Sequence, residues 1–292
     1  MDGSLVQVSG HLDLHHSPLR AGVVLKPLIS LEHLFYTHAP PQLLPFIPRF
    51  EGVTDSFGNP VCAPVHSDTV RCVRHPSYRV ALQDLTHGMN CPCVTDIKLG
   101  RRTWGLDAAP SKIASHTAKR DASLSSDIGL RSCGYVITER SGEMHSIDKY
   151  SVRYATRDCF IGLLKIFFGA HLNPRDACLS AVMVFKGMFE AIKSVPGLRL
   201  WSCSLLIALD SNSDAPPVVK LIDFGHTYTK QLLKGKHFSS DLHESVGDSE
   251  VNGWCCSKLK AITIPGMEGP DQDALDGISS IISILTALAD SF

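Results

Sequence analysis

The sequence predicts an α+β fold arranged in two lobes, on three observations. Helix-like and strand-like segments occur in mixed order along the chain rather than in strict alternation. The 292 residues suit one large domain or two lobes at about 150 residues per domain. Hydrophobic residues make up 44% of the chain and charged residues 20%, which leaves enough apolar surface to offset the entropy of ordering it.

The first lobe, residues 1–88, reads as strands around one short helix. Gly22–Leu28 is strand-like, and Ser30–Thr37 suits a short helix with Ser30 as its N-cap. Residues 40–76 are rich in Pro and Gly and read as loops. Ser77–Gln83 is a further strand. The polar stretch Asp84–Asn90 follows as a connector, and the lobe boundary is placed there.

The second lobe, residues 89–292, is more clearly patterned. Pro92–Leu99 reads as a strand, followed by a basic loop and a helix near Ser111–Arg120. Ile128–Ile137 is another strand, and Asp158–Phe168 a helix ended by Gly169. Asn173 and Pro174 look like the N-cap and first residue of the next helix. Behind them Cys178, Ala181, Val182, Phe185, Met188, Phe189 and Ile192 fall on one helical face. Two strands are expected at Leu198–Leu209 and Val218–Phe224. The closing helix places Ala274, Ile278, Ile281, Leu285 and Leu288 on one side.

Charge and hydropathy narrow the function classes. Lys and Arg number 28 and Asp and Glu 29, a net charge of −1, so the surface as a whole is not built to hold DNA or an anionic membrane. No nucleic-acid partner is indicated. No run approaches the roughly 18–20 apolar residues that span a bilayer, and the most apolar stretch, Phe160–Gly169, carries Lys165. The first residues lack a basic segment followed by an apolar one, so a cytoplasmic or nuclear protein is expected, and the chain is read as a monomer. The ten cysteines are expected to be thiols. Cys91 with Cys93, and Cys255 with Cys256, lack the paired C-x2-C spacing of a zinc site and read as small buried residues.

Three clusters could carry chemistry. In Pro92–Gly100, Asp96 and Lys98 share one face of a strand. A carboxylate there can orient or deprotonate a hydroxyl, and an ammonium can neutralise phosphate oxygens during transfer. The same pattern is also that of a surface ion pair on an edge strand. In Val218–His226, an apolar strand ends in Asp223-Phe224-Gly225. Its carboxylate is placed either to hold Mg2+ against nucleotide phosphates or to cap the next turn. Between these two clusters, Lys98, Arg101, Arg102, Lys112, Lys119 and Arg120 face one acid, Asp107. If 111–120 is helical, Lys112, His116 and Lys119 share a face, suited to a polyanionic small molecule or simply to solvent.

Asp-Phe-Gly invites comparison with protein kinases, but their other signatures are missing. There is no His-Arg-Asp catalytic loop, no G-x-G-x-x-G in the first lobe and no Ala-Pro-Glu after Asp223. Walker A, H-E-x-x-H and G-x-S-x-G motifs are absent as well.

The combination resembles a different family. Pro92-x-x-x-Asp96-x-Lys98-x-Gly100, then Ser204-Leu-Leu206, then Ile222-Asp223-Phe224 are similar to the ordered motifs of the inositol polyphosphate kinases. The resemblance extends through Gly10-His11, Leu25–Leu28, Leu82-Gln83-Asp84, Ile128–Gly134 and Glu268–Asp271. It implies a two-lobed inositol polyphosphate kinase fold, distantly protein-kinase-like, with ATP between the lobes and Mg2+ as cofactor. By the same resemblance Lys26 would reach the ATP phosphates with Glu32 as its ion-pair partner. The backbone near Gln83 would meet adenine, and Asp84 the ribose. Asp96 and Lys98 would be catalytic, Lys98 also touching the inositol phosphate, and Asp223 would hold the metal. His226 and Lys119 would grip the inositol polyphosphate, with Arg102, Lys112 and His116 completing the basic set.

The implied activity is ATP-dependent phosphorylation of ring hydroxyls. About eighty residues lie between Lys119 and Leu200, so no large extra substrate lobe is expected, and a multikinase fits best. The alternatives are an inositol hexakisphosphate kinase that makes pyrophosphates and, from another class, an inactive binding scaffold.

Overall fold

The computed structural model describes Val6, Val8 and residues 13–62, 73–233 and 267–292. Gly10-His11 and Cys255-Cys256 lie outside the described residues. The chain runs β1 (His15–His16), β2 (Val23–Ile29), α1 (Ser30–Thr37), a 3-10 helix at Pro41–Phe46, β3 (Phe50–Thr54) and β4 (Arg74–Gln83). It continues as β5 (Pro92–Leu99), α2 (Pro110–Asp121), α3 (Ser125–Ile128), β6 (Leu130–Thr138), β7 (Met144–Ile147) and α4 (Lys149–Val152). Then come α5 (Arg157–Gly169), α6 (Pro174–Lys193), β8 (Arg199–Trp201), β9 (Ser204–Asp210), β10 (Val218–Ile222), β11 (His226–Tyr228), α7 (Lys230–Leu233) and α8 (Gln272–Ala289).

Among the described residues the strands form an antiparallel sheet in the order β1-β2-β4-β3 before the connector. After it stand a five-stranded sheet, β10-β9-β5-β6-β7, and the pair β11-β8. β5 lies inside its sheet, paired with β9 on one side and β6 on the other. The edge-strand reading of Asp96 and Lys98 is therefore wrong. A strand buried on both sides reads as a near-continuous apolar run, and Cys93, Val94, Ile97 and Leu99 supply it.

The helices α6 and α8 pack on each other. Their buried residues include the expected Cys178, Ala181, Val182, Phe185, Met188 and Ile192, and Ala274, Ile278, Ile281, Leu285 and Leu288. Phe189 is only half-buried. One apolar core runs from Leu28 and Phe35 of the first lobe to Ile97 and Phe185 of the second. The 3-10 helix joins the lobes from outside: Phe46 covers Gly187 of α6, and Lys220 Nζ donates to Pro45 O at 2.6 Å.

Several expectations need correction. Residues 40–76 contain the strand β3, whose Phe-Glu-Gly-Val-Thr is short and sits among Pro and Gly. Ser30 is the first residue of α1 rather than its cap: Ile29 takes the cap position, and the Ser30 hydroxyl accepts from Val73 N at 3.0 Å. The Asn173 side chain makes no cap bond. Thr156, by contrast, caps α5 by accepting from Cys159 N, and Gly169 is still helical. The stretch Leu198–Leu209 is two strands, broken where Ser202 takes the left-handed conformation, φ 61°. β10 ends at Ile222, because Asp223 is left-handed too, φ 67°.

Candidate active site

An open cleft lies where the connector and both sheets meet. Val24 of β2 and Leu82 of β4 line one side, and Val94 of β5, Leu206 of β9 and Ile222 of β10 line the other. The connector residues Gln83, Asp84, Leu85 and Thr86 line its edge. Lys26, Glu32, Asp96 and Asp223 supply charged groups. An apolar slot with the connector along one edge and fixed charges at its end suits a planar base bearing a polyanionic tail.

The charges form one connected cluster. Lys26 Nζ lies 2.8 Å from Glu32 Oε1 and 2.7 Å from Asp223 Oδ1. Glu32 Oε1 also accepts from Phe224 N at 3.2 Å, so α1 is tied to the Asp-Phe-Gly turn. Aromatic packing reinforces the tie: Phe224 stacks on Phe35 at 4.2 Å and meets Tyr36 edge-on at 5.2 Å. On the other side Lys98 Nζ lies 3.5 Å from Asp223 Oδ2 and donates to Ser202 O at 2.8 Å and Ser204 Oγ at 3.0 Å. Asp223 thus faces a lysine on each oxygen, rather than capping the next turn. The left-handed backbone that aims it there costs about 1–2 kcal/mol.

These contacts fix the protonation states. Burial disfavours the charged form of Asp223, but Lys26 and Lys98 outweigh it and hold the carboxyl well below the usual range. Burial works against both ammonium groups, yet Asp223 and Glu32 hold the Lys26 pKa above its ordinary value, and Asp223 and Asp96 do the same for Lys98. The Asp223 side chain is 37% exposed, against 13% and 16% for the two lysines. It is thus the group of the three most open to the cleft. An ionised, accessible carboxylate beside a polyanion site fits a hard divalent cation, whose remaining oxygens come from phosphate and water.

Asp96 is buried on the same face of β5 as Lys98. Asp84 is buried too: its Oδ1 accepts from Thr86 N and Oγ1 at 2.9 and 2.8 Å, and its Oδ2 lies 3.5 Å from His16 Nδ1. The Gln83 N–H donates to Arg49 O at 2.9 Å and the Asp84 N–H to Gly22 O at 2.9 Å. Both of these donors are engaged in holding the connector.

Beyond Lys98 the site turns basic. α2 has no buried residue. His116 of α2 shares a 2.8 Å hydrogen bond between Nδ1 and Thr103 Oγ1. Burial, with Lys119, Lys112 and Arg131, keeps its pKa low. His226 lies across from α2. Burial lowers its pKa to about 4; Asp107 opposes this, while Lys112, Lys98 and His116 add to it. The structure therefore brings Lys98, Lys112, His116, Lys119 and His226 into one field. Arg102 turns instead onto Trp201, its guanidinium carbon 3.5 Å from a ring centroid.

One basic residue was missed by the reading of the chain. Arg131 pairs with Lys98 across β5 and β6 and joins the same field. Its signal lies in the Ile128–Gly134 motif, but no local pattern links that segment to Lys98.

The family model described as Inositol polyphosphate kinase matches residues 79–286. Inositol hexakisphosphate kinase 2 of Oryctolagus cuniculus is 32% identical over 232 residues, which are 72% of this chain and 52% of that one. Inositol polyphosphate multikinase of Schizosaccharomyces pombe is 26% identical over 164 residues, 53% of this chain and 61% of the relative. The chain spans about half the length of the hexakisphosphate kinases 2 it matches. Among solved structures, inositol phosphate multikinase from S. cerevisiae in complex with ADP and Mn2+ superposes with a TM-score of 0.65 at 17% identity. The match covers 91% of this chain and 98% of that chain. The two-lobed fold is thus that of the inositol phosphate multikinases.

Proposed function

Because the chain belongs to the inositol polyphosphate kinase family, we propose that it transfers the γ-phosphoryl group of ATP to ring hydroxyls of soluble inositol polyphosphates, as a multikinase. The observation that carries this reading is the Lys26–Asp223–Lys98 cluster, set between an apolar slot and a basic field.

The slot takes adenine between Val24 and Leu82 above and Val94, Leu206 and Ile222 below. Lys26 contacts the phosphates. Asp223 would hold magnesium, which neutralises phosphate charge when bound. Asp96 orients the attacking hydroxyl and accepts its proton, a role that needs a carboxylate within reach of the acceptor. Lys98, kept protonated by Asp223 and Asp96, balances charge as the phosphoryl group moves. Lys112, His116, Lys119, Arg131 and His226 hold the acceptor's phosphates. The acceptor side is thus drawn from α2, with Arg131 of β6 and His226 of β11 beside it.

A second reading is pyrophosphate formation on inositol hexakisphosphate. It is favoured by hexakisphosphate kinase relatives as much as 32% identical. The test offers inositol trisphosphate and inositol hexakisphosphate separately with Mg-ATP and resolves the products by anion exchange. Successive tetrakis- and pentakisphosphate support the multikinase. Product from the hexakisphosphate alone supports the second reading. Nucleotide binding without product from either supports a scaffold.

A further inference from the structure

We propose that Arg102 is a positioning residue: stacked on Trp201, it holds the left-handed Ser202 turn whose carbonyl fixes the Lys98 ammonium, and it does not grip the acceptor. The role in turnover rests on the kinase reading above.

The contacts form a chain. The Arg102 guanidinium carbon lies 3.5 Å from a Trp201 ring centroid and 5.3 Å from that of Trp104. Its Nε donates to Trp104 O at 3.1 Å. Its own carbonyl accepts from Ser202 N at 3.2 Å. One residue therefore grips consecutive positions of the break between β8 and β9, Trp201 by its side chain and Ser202 by its main chain. Ser202 sits at φ 61°, where residues with a Cβ are rare. In that conformation its carbonyl accepts from Lys98 Nζ at 2.8 Å.

The same segment carries a second acceptor-side group, since Trp201 pairs with His226 across β8 and β11. A loosened Trp201 would therefore disturb Lys98 and His226 together. Burial lowers the Arg102 pKa to about 10, in keeping with a guanidinium set into the protein. A planar guanidinium lies flat on an indole; a lysine at this position keeps the charge and loses the stack.

The test compares Arg102→Lys, Trp201→Leu and Trp201→Phe. In Arg102→Lys and Trp201→Leu, kcat is expected to fall about tenfold, while the acceptor KM rises by no more than about threefold through the disturbance of His226. Trp201→Phe, which keeps an aromatic platform, should stay within about threefold of the parent. The double variant Arg102→Lys/Trp201→Leu should be no worse than the weaker single, because the two residues act as one unit. On the full chain, amide exchange across residues 199–204 should quicken in Arg102→Lys and Trp201→Leu and stay unchanged in α2.

An acceptor KM raised at unchanged kcat in Arg102→Lys would make Arg102 a phosphate contact and overturn the proposal. Unchanged exchange across 199–204 would overturn it as well. Should Trp201→Leu not fold, the conservative Arg102→Lys decides by the same exchange measurement. If the parent chain transfers no phosphate, the kinase reading falls by itself, and the exchange experiment still decides whether Arg102 holds the turn.

Discussion

Lys26 Nζ and Asp223 Oδ1 lie 2.7 Å apart although 197 residues separate them. The contact joins β2 of the first lobe to the end of β10 in the second. It closes the cleft at one end and sets the charge of the group best placed to hold a cation. Glu32 completes it, bonded to both Lys26 Nζ and Phe224 N.

Asp223→Asn removes the charge proposed to hold the metal and the counter-ion shared by both lysines. Turnover should fall at least about a thousandfold, the scale seen when fixed charge stabilisation of a transition state is lost. The fold should survive, because Phe224 keeps its stack on Phe35. Steady-state rates beside a circular dichroism spectrum check this.

Asp96→Asn keeps the shape of the side chain and removes its basicity. We expect kcat to drop about 10²–10⁴-fold, the usual worth of a general base, with ATP affinity unchanged. Calorimetric titration of ATP alongside the assay separates the two effects. Equal loss of binding would make Asp96 structural.

Gly105→Ala should damage the acceptor side alone. A Cβ there would lie 2.3 Å from His226 Nδ1, 2.8 Å from the Tyr228 hydroxyl and 2.9 Å from Asp107 Oδ1. Those groups must shift, at about 1–3 kcal/mol for overpacking. The acceptor KM should rise several-fold, about 1 kcal/mol of binding, while the KM for ATP stays put.

These sites differ in how far they could be read from the chain. Asp96 and Lys98 were legible because a strand's period of two sets them side by side. The bounds of β5 were legible because an apolar run ends at Gly100. The partnership of Lys26 with Asp223 was not, since local pattern carries nothing across 197 residues; Asp223 stood out by its Asp-Phe-Gly, but only the family resemblance brought in Lys26. The break at Ser202 left no trace, because a serine in the left-handed region looks like any other serine. β7, Met-His-Ser-Ile, is short and largely exposed, so it lacks the apolar alternation that announces a strand. The stack of Arg102 on Trp201 joins a loop to the end of β8 and could only be seen once folded.

His226→Gln should flatten the acid side of the stability profile. The folded pKa of His226 is about 4, below its ordinary 6.5. Between these values the unfolded chain binds more protons than the native one, so stability falls as pH drops from 6.5 towards 4. Burial is the main cause, and Lys112, Lys98 and His116 add to it. Melting temperatures of the parent and of His226→Gln, measured across that window, should converge at low pH if His226 stabilises the neutral-pH fold. Parallel curves would contradict the assignment.

The central claim is that Lys98 works on the transferred group while Lys26 and the apolar slot hold the nucleotide. The most direct measurement follows labelled γ-phosphate from ATP to inositol trisphosphate with the parent chain and with Lys98→Met, while ATP binding is measured calorimetrically on both. The account predicts transfer by the parent, ATP affinity within about threefold in the variant, and at least a hundredfold loss of transfer, in the range that single transition-state contacts supply. Transfer by Lys98→Met at the parent's rate, or ATP binding by the parent with no transfer, would contradict it.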